Sequence, residues 1–144
     1  MPMPRMPLTT AQAHEVLKDF TTWMIHSVPA DWDQLFLTFR SVGGYVELRA
    51  SIITVLGGGL EWTPPPGVAE FFAGLRDDMA RPGEGTWTSL RYHLVHPGRY
   101  DAEYDWDGEP DWDHVPSREH FAAEAGRYPR ETVPGWLRQR LTAE

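Results

Sequence analysis

The chain predicts an α+β domain, a single antiparallel sheet of about four to five strands with helices packed on one face. Two observations carry this. Apolar stripes at spacings of three and four mark helices, and runs of period two mark strands; the strand runs come in consecutive pairs joined by short glycine or proline turns rather than as alternating βαβ units. The 144 residues suit one domain of ordinary size, long enough to bury a real core. Residues 1–8 (MPMPRMPL), with three prolines and no apolar h-region, read as a flexible lead-in, which leaves 9–144 as the domain.

Thr9 or Thr10 can cap a first helix to about Ser27, with Ala13, Val16, Leu17, Phe20, Trp23 and Met24 on its apolar stripe and Pro29 after its end. Trp32–Arg40 and Tyr45–Leu56 form a hairpin across Gly43-Gly44. Gly57–Gly59 interrupts, and Leu60–Thr63 is a short third strand before three prolines. The glycine run lacks the Lys-Ser/Thr of a phosphate-binding loop and reads as a bulge or loop. Pro66–Met79 is a second amphipathic helix with Val68, Phe72, Leu75 and Met79 on one face. Thr86–Val95 alternates, with Thr88, Leu90, Tyr92 and Leu94 as the core set, and Pro97-Gly98 turns it into a strand starting at Arg99. Ser117 can cap a helix to about Arg127, stopped at Tyr128-Pro129, and Pro134 opens a last short helix with Trp136, Leu137 and Leu141.

Charge is unevenly placed. Of 21 acids, seven occupy every odd position from Asp101 to Asp113: Asp101, Glu103, Asp105, Asp107, Glu109, Asp111 and Asp113. No Lys or Arg lies between Tyr100 and Pro116, so the rest of the chain holds 14 acids against 13 bases and the net charge of −8 is mostly this one patch. Wherever the segment is extended, its acids share one side, about 7 Å apart, and repel by about 0.6 kcal/mol per pair in water. A fold gains nothing from such a row, which points to a basic partner and away from nucleic acid or anionic membrane. Trp112 beside these carboxylates has the composition of an aromatic anchor in a charged rim. The seven acids and Trp112 are therefore the expected partner-binding residues.

Other chemistry is poorly supported. Glu103, Asp105, Asp107 and Gly108 fall at positions one, three, five and six of a calcium loop, but position twelve is His114 rather than a bidentate Glu. His93 and His96 lie on opposite faces of an extended strand and cannot share a metal there. With no cysteine there is neither a disulfide framework nor a zinc ribbon, and no serine sits in a nucleophile elbow. Consecutive acids on one strand do not give the two environments that a carboxylate-pair hydrolase needs. The expectation is a non-enzymatic protein with no catalytic residue, metal or cofactor, without a membrane span, acting in the cytoplasm. The alternatives are a small metal-binding or hydrolytic domain using the same carboxylates, and a general interaction scaffold.

Trp23–Trp32 (WMIHSVPADW), the hairpin through Leu56, and most clearly Thr86–Asp107 (TWTSLRYHLVHPGRYDAEYDWD) resemble the YezG-like immunity proteins, antitoxins of bacterial polymorphic and LXG-type toxins. The tail, with GEPDW and RYPRETVPGWL, is similar to related proteins in which an acidic turn precedes a Y-P-R and P-x-W-L end. Gly57–Gly59 and the triple proline depart from that pattern. The resemblance implies a small cytoplasmic α+β protein that binds and neutralises a cognate toxin domain, often a nuclease. It carries over no catalytic residues and no binding residues; the acidic surface follows from charge alone.

Overall fold

The computed structural model describes residues 6–142. In chain order the elements are α1 (Thr10–Ser27), β1 (Trp32–Val42), β2 (Tyr45–Thr54), β3 (Gly59–Glu61), α2 (Val68–Met79), β4 (Ser89–Val95), β5 (Arg99–Asp105), α3 (Arg118–Arg127) and α4 (Gly135–Thr142). This is the α+β architecture expected: the five strands form one antiparallel sheet in the order β3-β2-β1-β4-β5. Of the lead-in, residues 1–5 lie outside the described residues. Leu8, at its other end, donates its N–H to the Asp78 carbonyl at 2.8 Å and packs on the core.

Local chemistry explains the boundaries. Thr9 and Gln12 form a reciprocal capping box that satisfies two of the orphan N–H groups starting α1. Gly43 and Gly44 carry φ of 53° and 87°, the pair of positive values that a two-residue hairpin turn needs to match strand twist. Pro64–Pro66 precede α2, and Gly67, at φ 99°, takes its N-cap position. The helix therefore begins two residues later than the prolines suggested.

Strand alternation places Leu35, Leu37 and Phe39 of β1, Ala50 and Ile52 of β2, and Leu90, Tyr92 and Leu94 of β4 on one face, buried against Leu17, Phe20 and Met24 of α1 and Val68, Phe72 and Leu75 of α2. Phe20 is the hub, with its ring against Phe71, Phe72 and Tyr92. Each such large side chain contributes about 1.5–3 kcal/mol by leaving water. A smaller cluster of Val42, Phe121 and Leu137, with Trp112 and Trp136 against it, joins α3 and α4 to the far end of the hairpin.

Two sequence readings are corrected. The strand expected from Thr86 begins only at Ser89. Parity had put Trp87 with the outward set, yet it is fully buried, donating its indole N–H to Met79 Sδ at 3.3 Å. Thr88 still bonds to Ser41 and Asp105 on the flanking strands, but Thr86 and Trp87 are turned out of the ladder, because Arg76 Nε holds the Trp87 carbonyl at 2.7 Å and Thr86 Oγ1 donates to the Arg76 carbonyl at 2.6 Å. The acidic segment is likewise extended only as far as Asp105. Among the described residues no helix is long and apolar enough to cross a membrane.

Candidate partner-binding face

The sheet face away from α1 and α2 is open along most of its length, as antiparallel sheets permit. Register lines up its side chains in rows: Arg49, Thr38, Arg91 and Glu103 in one, Ser51, Phe36, His93 and Asp101 in the next. At its centre the Phe36 and His93 rings stack at 4.3 Å, and Gln34 Oε1 holds His93 Nε2 at 2.8 Å, which fixes the imidazole in place. A groove of about 350 Å³ runs over this pair, bordered by Thr38, Arg91, Asp101 and Glu103.

The seven acids divide into two groups. Asp101, Glu103 and Asp105 stand exposed on the open face of edge strand β5, with Tyr100, Ala102 and Tyr104 turned to the core side, where burial pushes the Tyr104 hydroxyl up to about 12. Beyond Asp105 the chain turns: Asp105 Oδ1 accepts the N–H of Gly108 at 2.9 Å and of Asp107 at 3.3 Å. The calcium-like spacing thus belongs to a carboxylate-capped turn. Among the described residues no group of three or more His, Asp or Glu is placed to hold a metal ion.

Three of the four later acids meet arginines distant in sequence. Asp107 pairs with Arg130 at 3.3 Å, and Glu109 takes a two-pronged bond from Arg140 at 2.8 and 3.1 Å. Asp113 pairs with Arg49, 2.6 Å from its Nε, and lies 3.6 Å from Arg40. Self-repulsion of a continuous row, the premise drawn from the sequence, is therefore relieved within the fold for these residues. Asp101, Glu103 and Asp111 have no ion pair among the described residues. Trp112 is half-buried between Tyr45 and Phe121 and belongs to the α3–α4 cluster, so it supports the acidic loop from beneath. Trp106 packs on the main core under the Arg81 guanidinium, 4.6 Å away.

The loop is fastened to the sheet by a residue the sequence did not single out. Glu47 accepts the backbone N–H groups of Asp113 at 3.0 Å and His114 at 2.9 Å, the Tyr45 hydroxyl at 2.6 Å, and Arg40 at 3.3 Å. Burial pushes its carboxyl upward, but these donors outweigh burial and hold it at about 2, below its ordinary 4.5, while the same bond pushes Tyr45 up to about 12. A lowered carboxylate stabilises fully above its unfolded pKa and loses that contribution as pH falls through the folded one, so the fastening weakens from about 4.5 down through about 2. An NMR titration should show the Asp113 and His114 amides moving together with a midpoint near 2. In Glu47→Gln they should already sit near the acid position at pH 7; retention of the wild-type shifts would contradict the fastening.

Phe36, Thr38, Arg91 and His93 were also missed as site residues. The signal was present: from Gln34 to Arg40 the even positions Gln34, Phe36, Thr38 and Arg40 form the outward set, which puts the Phe36 ring on the open side of a central strand. The histidines do not converge. His14 meets Tyr100, His93 meets Gln34 and Phe36, His96 lies by Trp32, and His120 meets the Gly43 carbonyl. No protein-family model matches this chain, and no curated protein matches it.

Proposed function

We propose that this is an immunity-type protein, a non-catalytic cytoplasmic antitoxin that binds a cognate toxin domain one to one and blocks it. The observation that carries the reading is the open sheet face: a stacked Phe36–His93 pair bordered by Asp101 and Glu103, two exposed carboxylates with no ion pair among the described residues. An aromatic centre within a charged rim is the anatomy of a protein-binding surface. The charge calls for a basic partner surface, such as the nucleic-acid channel of a nuclease toxin. The resemblance of the Thr86–Asp107 hairpin to YezG-like immunity proteins, whose two strands are β4 and β5, points the same way.

The test is protection. Co-expressed with the toxin domain encoded beside it, this protein should restore growth and co-elute as a one-to-one complex. Asp101→Asn/Glu103→Gln/Asp111→Asn should remain folded, because it removes none of the paired acids, and should protect poorly. Absence of a toxic neighbour, or full protection by the triple variant, would overturn the reading.

A further inference from the structure

The groove over the Phe36–His93 pair carries a specific pattern of acceptors. Gln34 Oε1 can only accept a hydrogen bond, so the His93 Nε2 that meets it at 2.8 Å carries the hydrogen. In the neutral ring Nδ1 is then a bare acceptor. It has no hydrogen-bond partner among the described residues and is not shut away from water. The ring cannot turn freely, because Gln34 holds one end and Phe36 stacks on it within 11° of parallel.

Asp101 stands directly across from His93 on β5, and Glu103 across from Arg91. Directly opposed residues have Cβ atoms about 4.5–5.5 Å apart, which brings the Asp101 carboxylate beside the imidazole. The other groups that face His93 are few. β1 contributes Phe36 and Thr38, both uncharged; in the same rows β2 has Ser51 and Arg49, the latter bound by Asp113. Arg99 lies one row beyond Asp101, outside the groove. Two carboxylates against the Arg91 guanidinium leave the groove one net negative charge, and Arg91 is ion-paired to neither among the described residues.

Carboxylates alone take any cation; the imidazole narrows the choice. A bare ring nitrogen and a carboxylate side by side on a fixed frame match a planar fork of N–H donors, with the Phe36 ring as an apolar floor for the stem behind it. A guanidinium is such a fork and is weakly hydrated, whereas an ammonium is a compact, strongly hydrated point charge. Resting on the reading of this face as the partner surface, we propose that the groove seats one arginine side chain of the partner protein, its guanidinium donating to His93 Nδ1 and to Asp101, and that His93 must be neutral to receive it. Protonation turns Nδ1 from acceptor into donor and cancels the net charge of the groove.

The probes are two blocked pentapeptides of glycine, one with a central arginine and one with a central lysine, followed by NMR of the intact protein at fixed ionic strength. At pH 7.5 the arginine peptide should shift the His93 ring and the Asp101 amide saturably in the millimolar range, with the lysine peptide weaker by about threefold or more. Binding should fade towards pH 5, where histidine gains its charge. Because coupling is reciprocal, saturating arginine peptide should keep the His93 ring neutral to lower pH. Asp101→Asn should stay folded and bind weakly at both pH values, and His93→Gln should bind weakly with no pH dependence. The peptides carry no part of a toxin, so the two readings fail separately. Arginine binding as described beside failed protection of cells would count against the antitoxin and support the seat. The seat is overturned, even with protection intact, if no peptide shifts His93 saturably, if arginine and lysine bind equally, if affinity is the same at pH 5 and 7.5, or if either variant behaves like the parent protein.

Discussion

Replacing Glu124 with alanine is expected to cost about 3–5 kcal/mol of folding stability, the penalty for leaving one member of a buried ion pair without its partner. Glu124 and Arg76 are each about 4% exposed. Their bond joins α3 to α2, Glu124 Oε1 also takes the Gly43 N–H of the hairpin turn, and Arg76 Nε holds the Trp87 carbonyl. Loss of the carboxylate leaves a guanidinium away from water and frees α3 from the turn, so urea unfolding should shift to a much lower midpoint. Arg76→Ala should cost a similar amount. Because both variants break the same pair, Arg76→Met/Glu124→Leu should be more stable than either single variant. A Glu124→Ala cost below about 1 kcal/mol would mean that water reaches the pair.

Gly43→Ala is expected to cost about 3 kcal/mol or more, and Gly44→Ala about 1–2. Both positions have positive φ, so both substitutions strain the turn. Only at Gly43 would the new methyl overlap the backbone carbonyl of His120, whereas nothing lies within 4 Å of it at Gly44. To admit the methyl, α3 must back away, which breaks the Gly43 N–H bond to Glu124 and the 3.0 Å contact between His120 Nδ1 and the Gly43 carbonyl. Equal costs at the two glycines would show that α3 is not seated on the turn.

These two sites mark where sequence reasoning reached and where it stopped. The Thr9 cap, the double-glycine turn and the stripe of Val68, Phe72, Leu75 and Met79 are local signals, because the residues that interact are neighbours on one element; all three stand in the structure. Arg76 lies in the same helix and was not singled out. Its burial follows from an acid 48 positions away, and nothing local announces that. The acidic segment shows the same limit. Its odd-position pattern correctly oriented Asp101, Glu103 and Asp105, which lie within a strand. Past the Asp105 turn parity carried no information, and Arg130, Arg140, Arg40 and Arg49 came from other elements to meet Asp107, Glu109 and Asp113. Trp87 failed for a related reason, since period two applies only inside a ladder and the residue stands two positions before one begins. Phe36 was legible by the same rule and went unread.

The measurement that most directly tests the acidic face as the partner-binding surface is the salt dependence of association with the toxin domain, followed by stopped flow. Unpaired carboxylates at Asp101, Glu103 and Asp111 should steer a basic partner, and steering acts mainly on the association rate. The screening length shrinks from about 14 Å at 50 mM salt to about 4 Å at 500 mM, so that rate should fall severalfold while dissociation changes less. Asp101→Asn/Glu103→Gln/Asp111→Asn should flatten the slope, and Phe36→Ala, at the centre of the face, should mainly speed dissociation. An association rate that is independent of salt, and unchanged in the triple variant, would contradict the account.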